Sequence, residues 1–295
     1  MEFRPIALAD RKLFEAAYRT CRHEGSECSF TNLFIWRKPL EIVWAKVGKT
    51  ICVAVLNDGP VYALHPCAQE KQDAVEAAGR LAKWFRSQGH PLLIRGLEQP
   101  LAQMLGEEFS SWRIEHDRDE DDYIYSVREL IELKGRKFEA KRHHIRTFLR
   151  NTPDYVYEAM DATNALECIP AAQEWLARQH SDDVIMQAET FAVEQALTYF
   201  AKLELSGAII RVDGKIEAFT VGEALSENTA VIHIEKANPE IVGLYQMINR
   251  EFLSHAWSEM SYVNREEDMG IPGLRAAKQS YRPLRMVEKY RATES

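Results

Sequence analysis

The stretch YVNREEDMGIPGLRAAKQSYRP, residues 262–283, runs from a short apolar strand (Tyr262, Val263) through an acidic turn into a helix. Pro272 opens that helix, since a fixed φ and a missing N–H suit the first helical position. A spacing of three then puts Arg275, Lys278 and Tyr281 on one helical face. The turn supplies Asn264, Arg265, Glu266, Glu267 and Asp268, so charges of both signs crowd beside an apolar strand. The plainest account is a solvated surface, with acids near the helix start and bases further along matched to the helix dipole. A binding site is the other account. There, acids pair with a cationic substrate group while Arg275 and Lys278 meet an anion or a polarised carbonyl.

Just upstream, AVIHIEKANPEIVGLY, residues 230–245, reads as a strand, a turn and the start of a helix. Strand alternation puts His233 and Glu235 on one side, where either is a candidate general base. A single strand histidine is more often structural. Lys278 completes the catalytic candidates. The substrate-binding candidates are Asn264, Arg265, Glu267, Asp268, Arg275, Tyr281, Gly243 and Tyr245, although an aromatic at helical spacing, such as Tyr281, is more often core.

Working outward, the element order repeats. Residues 41–65 read as a three-strand meander (EIVWAKV, TICVAVL, PVYALHP) turned at Gly48-Lys49 and Asn57-Asp58-Gly59. A helix with Val75, Ala78, Leu81, Ala82 and Phe85 at helical spacing follows, and Gly89 stops it. A second meander (SGAIIRV, IEAFTVGEAL, TAVIHIEKA) turns at Asp213-Gly214 and near Asn228, again ahead of a helix, LYQMINREFLSHAW. The halves share element order and no evident sequence repeat. The expected division is 1–125, a basic connector at 126–150, and 151–295, the last carrying the site.

In the connector, from Lys134 to Arg150, seven bases face a single acid, Glu139. Phe138, Ile145 and Phe148 or Leu149 give this helix an apolar side. Lys137, Lys141, Arg142 and Arg146 are therefore candidate phosphate ligands, against the plainer account of a solvated helix that docks the domains. The chain as a whole is acidic, with 45 acids, 37 bases and a net charge of −8, which argues against a general nucleic-acid coat. No apolar run reaches the roughly 18 residues of a membrane span, and the charged start MEFRPIALADRKLF does not read as a signal peptide, so a cytoplasmic location is expected. Five cysteines without a C-x-x-C pair predict buried thiols, neither a disulfide frame nor a metal site. No nucleophile-elbow, zinc-protease, Walker or dinucleotide motif occurs.

Gly273-Leu274-Arg275, Lys278 and the aromatic Tyr281, with the preceding Asn264 to Asp268, resemble an uncharacterised bacterial family (DUF2156-like) related to the C-terminal domain of phosphatidylglycerol lysyltransferase. The element order resembles the GCN5-related N-acetyltransferase (GNAT) fold in tandem, as in the Fem aminoacyltransferases. The resemblance implies an α/β (α+β) chain of two GNAT-like domains, each a mixed, mostly antiparallel sheet flanked by helices. It implies a transferase moving an activated acyl group, aminoacyl rather than acetyl, to an amine or hydroxyl. The pyrophosphate loop of acyl-CoA enzymes would fall at Glu240, Gly243 and Tyr245. Only the glycine fits that pattern, because an acid repels phosphate and a tyrosine crowds it. The resemblance thus implies no tightly bound cofactor, a small-molecule or aminoacyl donor such as aminoacyl-tRNA ahead of acetyl-CoA, and peripheral contact with tRNA or anionic phospholipid as partners. A conventional acyl-CoA N-acyltransferase and a non-catalytic tandem binding module are the alternatives.

Overall fold

A computed structural model describes residues 1–21, 23–178 and 184–294. The strands and helices follow in chain order. They are β1 (Arg4–Pro5), α1 (Arg11–Cys21), α2 (Phe30–Trp36), β2 (Ile42–Val47), β3 (Thr50–Val55), β4 (Tyr62–Leu64), α3 (Lys71–Ser87), β5 (Leu93–Glu98), α4 (Gln99–Glu108), β6 (Trp112–His116) and β7 (Asp122–Ser126). Then come α5 (Val127–Glu132), α6 (Glu139–Asn151), β8 (Val156–Ala159), α7 (Asn164–Arg178), α8 (Val184–Thr198), β9 (Ser206–Val212), β10 (Lys215–Ala224), β11 (Thr229–Ala237), α9 (Leu244–Ala256), β12 (Tyr262–Asn264), α10 (Pro272–Gln279), β13 (Arg285–Val287) and β14 (Lys289–Glu294). Both expected meanders are present, as β2–β4 and β9–β11.

The chain divides into two compact units that do not follow it linearly. One comprises Met1–Asp122, Glu267–Pro272 and Met286–Ser295; the other comprises Tyr123–Glu266 and Gly273–Arg285. The sheet of the first runs β1-β2-β3-β4-β5-β14-β6, and the other runs β13-β7-β12-β11-β10-β9-β8. Both are mixed and mostly antiparallel, with helices on them, as expected. The difference from a division at 125 and 151 lies in exchanged segments. The last strand, β14, pairs antiparallel with both β5 and β6 of the first sheet. β7 instead pairs antiparallel with β12.

In the first unit, β3 is buried along its whole length, and Val75, Ala78, Leu81 and Phe85 of α3 close over the sheet as their spacing predicts. The sheet's final strand carries a lysine into the interior. Lys289 is only 2% exposed, and its Nζ lies 2.6 Å from Glu27 Oε2 and 2.8 Å from Asp122 Oδ1. Burying an ammonium is tolerable only with such partners. Burial also pushes the Glu27 carboxyl up to about 8, while Lys289 pulls the other way.

In the second unit, α9 packs on β9, β10 and β11 and against α5 and α6. Ile145 and Phe148 form the buried side of α6, and Leu149 is exposed. Among the described residues no helix is long and apolar enough to cross a membrane.

The expectation of unpaired thiols fails for two of the five cysteines. The Cys21 and Cys67 sulfurs lie within disulfide-bonding reach of each other, with Cα atoms 6.2 Å apart, while Cys28, Cys52 and Cys168 are free and buried. Spacing along the chain could not show this, because 46 positions separate the pair.

Candidate active site

β11 and β12 run parallel, but they pair only from Thr229↔Tyr262 to Val231↔Asn264. His233 and Glu235 on β11, and Arg265 and Glu266 after β12, all lie past the last pair. Where parallel strands stop pairing, side chains and backbone groups are left to meet one another or a ligand. A β-bulge marks the same place. Val221 of β10 faces Ile234 and Gly222 faces Ile232, so His233 is the extra residue. A side chain at Gly222 would strike the Val231 carbonyl, with Cβ only 2.3 Å from that oxygen.

Arg265 is the centre of the arrangement. Its Nη2 donates to Glu235 Oε1 at 2.7 Å, and Glu235 Oε2 accepts from Asn249 Nδ2 at 2.9 Å. The Arg265 carbonyl accepts from Lys278 Nζ at 2.6 Å, and the Tyr125 hydroxyl donates to the Lys278 carbonyl at 2.8 Å. The guanidinium carbon lies 4.9 Å from the Tyr281 ring centre and 5.8 Å from that of Tyr125, within cation–π range. Of the two terminal nitrogens one is left over: Arg265 Nη1 is buried and has no hydrogen-bond partner. A buried charged donor in that condition is costly unless something occupies it.

A second cation approaches from α6. Lys141 Nζ donates to Ser280 Oγ at 2.6 Å and stands 3.8 Å from the Tyr281 ring centre. Burial, and then the like charge of Arg265, bring its pKa down to about 8, against the opposing pull of Glu235. Arg265 and Lys141 thus both interact with Glu235, while Lys278 holds the Arg265 carbonyl. This is a positive cluster inside an acidic chain.

His233 belongs to a separate network. With its side chain 1% exposed, it meets Glu266 Oε1 through Nδ1 at 2.9 Å and Glu223 Oε1 through Nε2 at 3.0 Å. Burial alone would lower its pKa, but the two carboxylate hydrogen bonds prevail and raise it to about 10. With both ring nitrogens donating, the imidazolium has no lone pair for a proton.

A cavity of about 350 Å³ opens beside the end of β11, lined among others by Trp175, Glu189, Lys236, Asn238, Glu240 and Tyr245. Lys236 pairs with Glu189 at 2.5 Å across its wall. At the start of α9, Gly243 has φ 89°, and a Cβ there would lie 2.1 Å from the His144 carbonyl oxygen. Glycine is needed there on both counts.

The sequence profile of the family described as phosphatidylglycerol lysyltransferase, C-terminal, matches residues 18–293. The chain belongs to this family. It is also similar to a conserved protein of unknown function from Bacteroides thetaiotaomicron VPI-5482, at 32% identity over 100% of both chains with a TM-score of 0.91. The C-terminal domain (DUF2156) of a putative lysylphosphatidylglycerol synthetase from Agrobacterium fabrum shares the fold, at 14% identity and a TM-score of 0.68 over 98% of this chain and 93% of that one. A tandem GNAT protein from the clavulanic acid biosynthesis pathway is more distant, at 11% identity and a TM-score of 0.53 over 100% and 98%. The fold is therefore tandem GNAT-like. No curated protein matches the chain.

Within this lysyltransferase-family chain the expected site residues fall into groups. Glu235, Arg265, Lys278, Tyr281 and Lys141 come together. Asn264 is buried and receives the Glu266 N–H on its Oδ1 at 2.7 Å, shaping the turn. Arg275 is half-buried on α10, one turn before Lys278. Glu267 and Asp268 belong to the other compact unit. There Asp268 is buried, lies 3.4 Å from Arg118 Nη1, and takes the Gly270 N–H at 2.9 Å. The carboxylate of Glu267 helps hold the Lys289 ammonium charged.

In the connector, Lys137 pairs with Glu129 at 2.8 Å, and Arg146 pairs with Glu139 at 2.8 Å. Arg142 binds Glu139 and the Leu133 and Gly135 carbonyls. Only Lys141 of the four approaches the Arg265 cluster. Sequence reasoning did not single out Tyr125, Glu223 or Asn249. Each sits in an ordinary strand or helix pattern, and nothing local marks it.

Proposed function

We propose that the second unit transfers an activated acyl group, aminoacyl in preference to acetyl, to an amine or hydroxyl acceptor, with the donor carbonyl at Arg265 Nη1. The observation that carries this reading is the buried, unpartnered Nη1 of a guanidinium whose other terminal nitrogen, Nη2, is already held by Glu235. A donor fixed where negative charge develops stabilises the tetrahedral transition state without reorganising. The acceptor's lone pair forms the new bond to carbon, the donor's ester oxygen leaves, and the acceptor's proton ends on that oxygen.

Glu235 and Lys278, expected to be catalytic, are read here as positioning residues: one fixes the guanidinium, the other the Arg265 carbonyl. His233 is read as a structural imidazolium and not as the base. Lys141 supplies a second positive charge for a phosphate of the donor. An aminoacyl donor such as aminoacyl-tRNA is favoured over acyl-CoA by family membership and by the α9 start. There Glu240 and Tyr245 stand where a pyrophosphate loop needs a base and a small residue, and the His144 carbonyl packs against Gly243.

The test is transfer of label from a panel of aminoacyl-tRNAs, and from acetyl-CoA, to amine- and hydroxyl-bearing acceptors. Arg265→Gln should lower turnover with the aminoacyl donor by about 100-fold. Wild-type turnover in that variant, or transfer from acetyl-CoA alone, overturns the reading.

A further inference from the structure

The first unit holds a cluster that has no part in this chemistry. Cys21 ends α1, His23 follows two residues later, and Cys67 lies just past β4. One ligand atom from each comes within 4.8 Å of the other two. Cys67 is held firmly: its N–H and carbonyl both bond to Ile51 of β3, at 2.9 Å each way. The His23 side chain is 8% exposed, yet neither ring nitrogen makes a hydrogen bond.

The surroundings set which nitrogen is available. Nδ1 faces Glu98 Oε1 at 3.4 Å, and that same oxygen accepts the N–H groups of Glu24 at 2.9 Å and Gly25 at 3.3 Å. The carboxylate is therefore fixed behind the ring, as the outer partner of a metal-bound histidine is, and Nε2 is left as the ligand. The His65 ring stands edge-on to His23 at 4.0 Å, and its Nδ1 accepts the Glu98 N–H at 3.2 Å. Its Nε2 therefore carries the hydrogen and offers no lone pair. His65 is a wall and not a ligand.

We infer that, with its thiols reduced, the first unit binds one zinc-class divalent cation through Cys21 Sγ, Cys67 Sγ and His23 Nε2, and that the Cys21–Cys67 disulfide is the metal-free form of the same site. Two thiolates and an imidazole are the donor set of a borderline-soft, tetrahedral cation, and three protein ligands leave the fourth position to water. Magnesium and calcium, which take oxygen ligands, do not fit.

The two forms interconvert by thiol–disulfide exchange with a low-molecular-weight disulfide such as oxidised glutathione. One cysteine thiolate attacks the reagent's S–S bond and expels one glutathione thiolate. The second thiolate then attacks the protein sulfur of the mixed disulfide, forms the Cys21–Cys67 bond and expels the other glutathione thiolate. The protein gives up two electrons, the reagent takes both, and the cation leaves for solvent.

The full chain, reduced with a phosphine under nitrogen and freed of reductant, is titrated with cobalt(II) alone. One equivalent should give the visible absorption of tetrahedral cobalt with thiolate-to-metal charge transfer, and zinc should displace it. Cys67→Ser and His23→Ala should weaken binding by at least about tenfold, whereas Cys28→Ser, which removes a buried thiol outside the cluster, should leave the spectrum unchanged. Oxidised glutathione should then release the cation as the protein mass falls by two hydrogens. A reduced wild type without the tetrahedral thiolate spectrum overturns the site, as does a spectrum that survives both variants. Retention of cobalt by the fully oxidised chain, or a bond that resists reduction in the folded protein, overturns the exchange.

Discussion

Glu235 Oε1 lies 2.7 Å from Arg265 Nη2, and this pair turns the guanidinium so that its other terminal nitrogen, Nη1, stays buried without a protein partner. The two residues are 30 positions apart and meet because β11 and β12 stop pairing just before them.

Removing the carboxylate should therefore cost both stability and placement. Glu235→Ala leaves a buried guanidinium uncompensated and is expected to destabilise the fold by about 3–5 kcal/mol, read from denaturant unfolding. Glu235→Gln keeps a hydrogen-bond acceptor and should cost less, while transfer from the aminoacyl donor still falls because Arg265 is less firmly held. Equal stabilities for the two variants would remove the ion pair from the account.

Lys141, with its pKa brought down to about 8, should give anion affinity a pH profile. Binding of a phosphate-bearing donor should weaken as pH rises through about 8, and Lys141→Arg should flatten that profile. Stability runs the other way. A depressed lysine favours the neutral form, so its contribution is full above the ordinary value of 10.5 and lost as pH falls through about 8. Lys141→Met should remove this slope, which thermal unfolding across that window can show.

For His233 the folded pKa is raised from 6.5 to about 10, so its contribution is fully present below 6.5 and is lost as pH rises towards 10. His233→Gln should unfold more easily than wild type at pH 6, with the difference shrinking by pH 10. A difference that stays constant over that range would mean the imidazole is not charged in the fold.

Lys289→Met should destabilise the first unit by about 3–5 kcal/mol, because Glu27 and Asp122 lose a shared cation. Adding Asp122→Asn to that variant should recover part of the loss, since the carboxylate left buried without its cation is then removed. Additive losses in a double-mutant cycle would mean that the two residues are not coupled.

Much of this was legible along the chain. Alternating and continuous apolar runs are local patterns, and they marked both meanders and the core helices because strand and helix periods are set by the backbone itself. The helix carrying Arg275 and Lys278, and the basic run from Lys134 to Arg150, were visible for the same reason, whereas Tyr281, expected on the same helical face, lies in the turn past the helix end at Gln279. Glu235, Arg265, Lys278, Tyr281 and Lys141 are each marked in the sequence, and Lys278 is linked there to Tyr281 by spacing, but nothing in the sequence joins that pair to Glu235, Arg265 or Lys141.

Tertiary structure decided which partners they have. A one-residue bulge made His233 the extra residue of β11, and its nitrogens went to Glu223 and Glu266. Chain exchange gave Glu267 and Asp268 to one compact unit and Arg265 to the other, although they are neighbours in sequence. Of the four connector cations, the side chain reaching Tyr281 is that of Lys141, while Glu129 and Glu139 hold the other three. Cys21 met Cys67 across 46 residues. A backbone period repeats every few residues and leaves its mark locally. The pairing of two distant side chains depends on strand register and on where the chain crosses between sheets, and no local pattern carries that information.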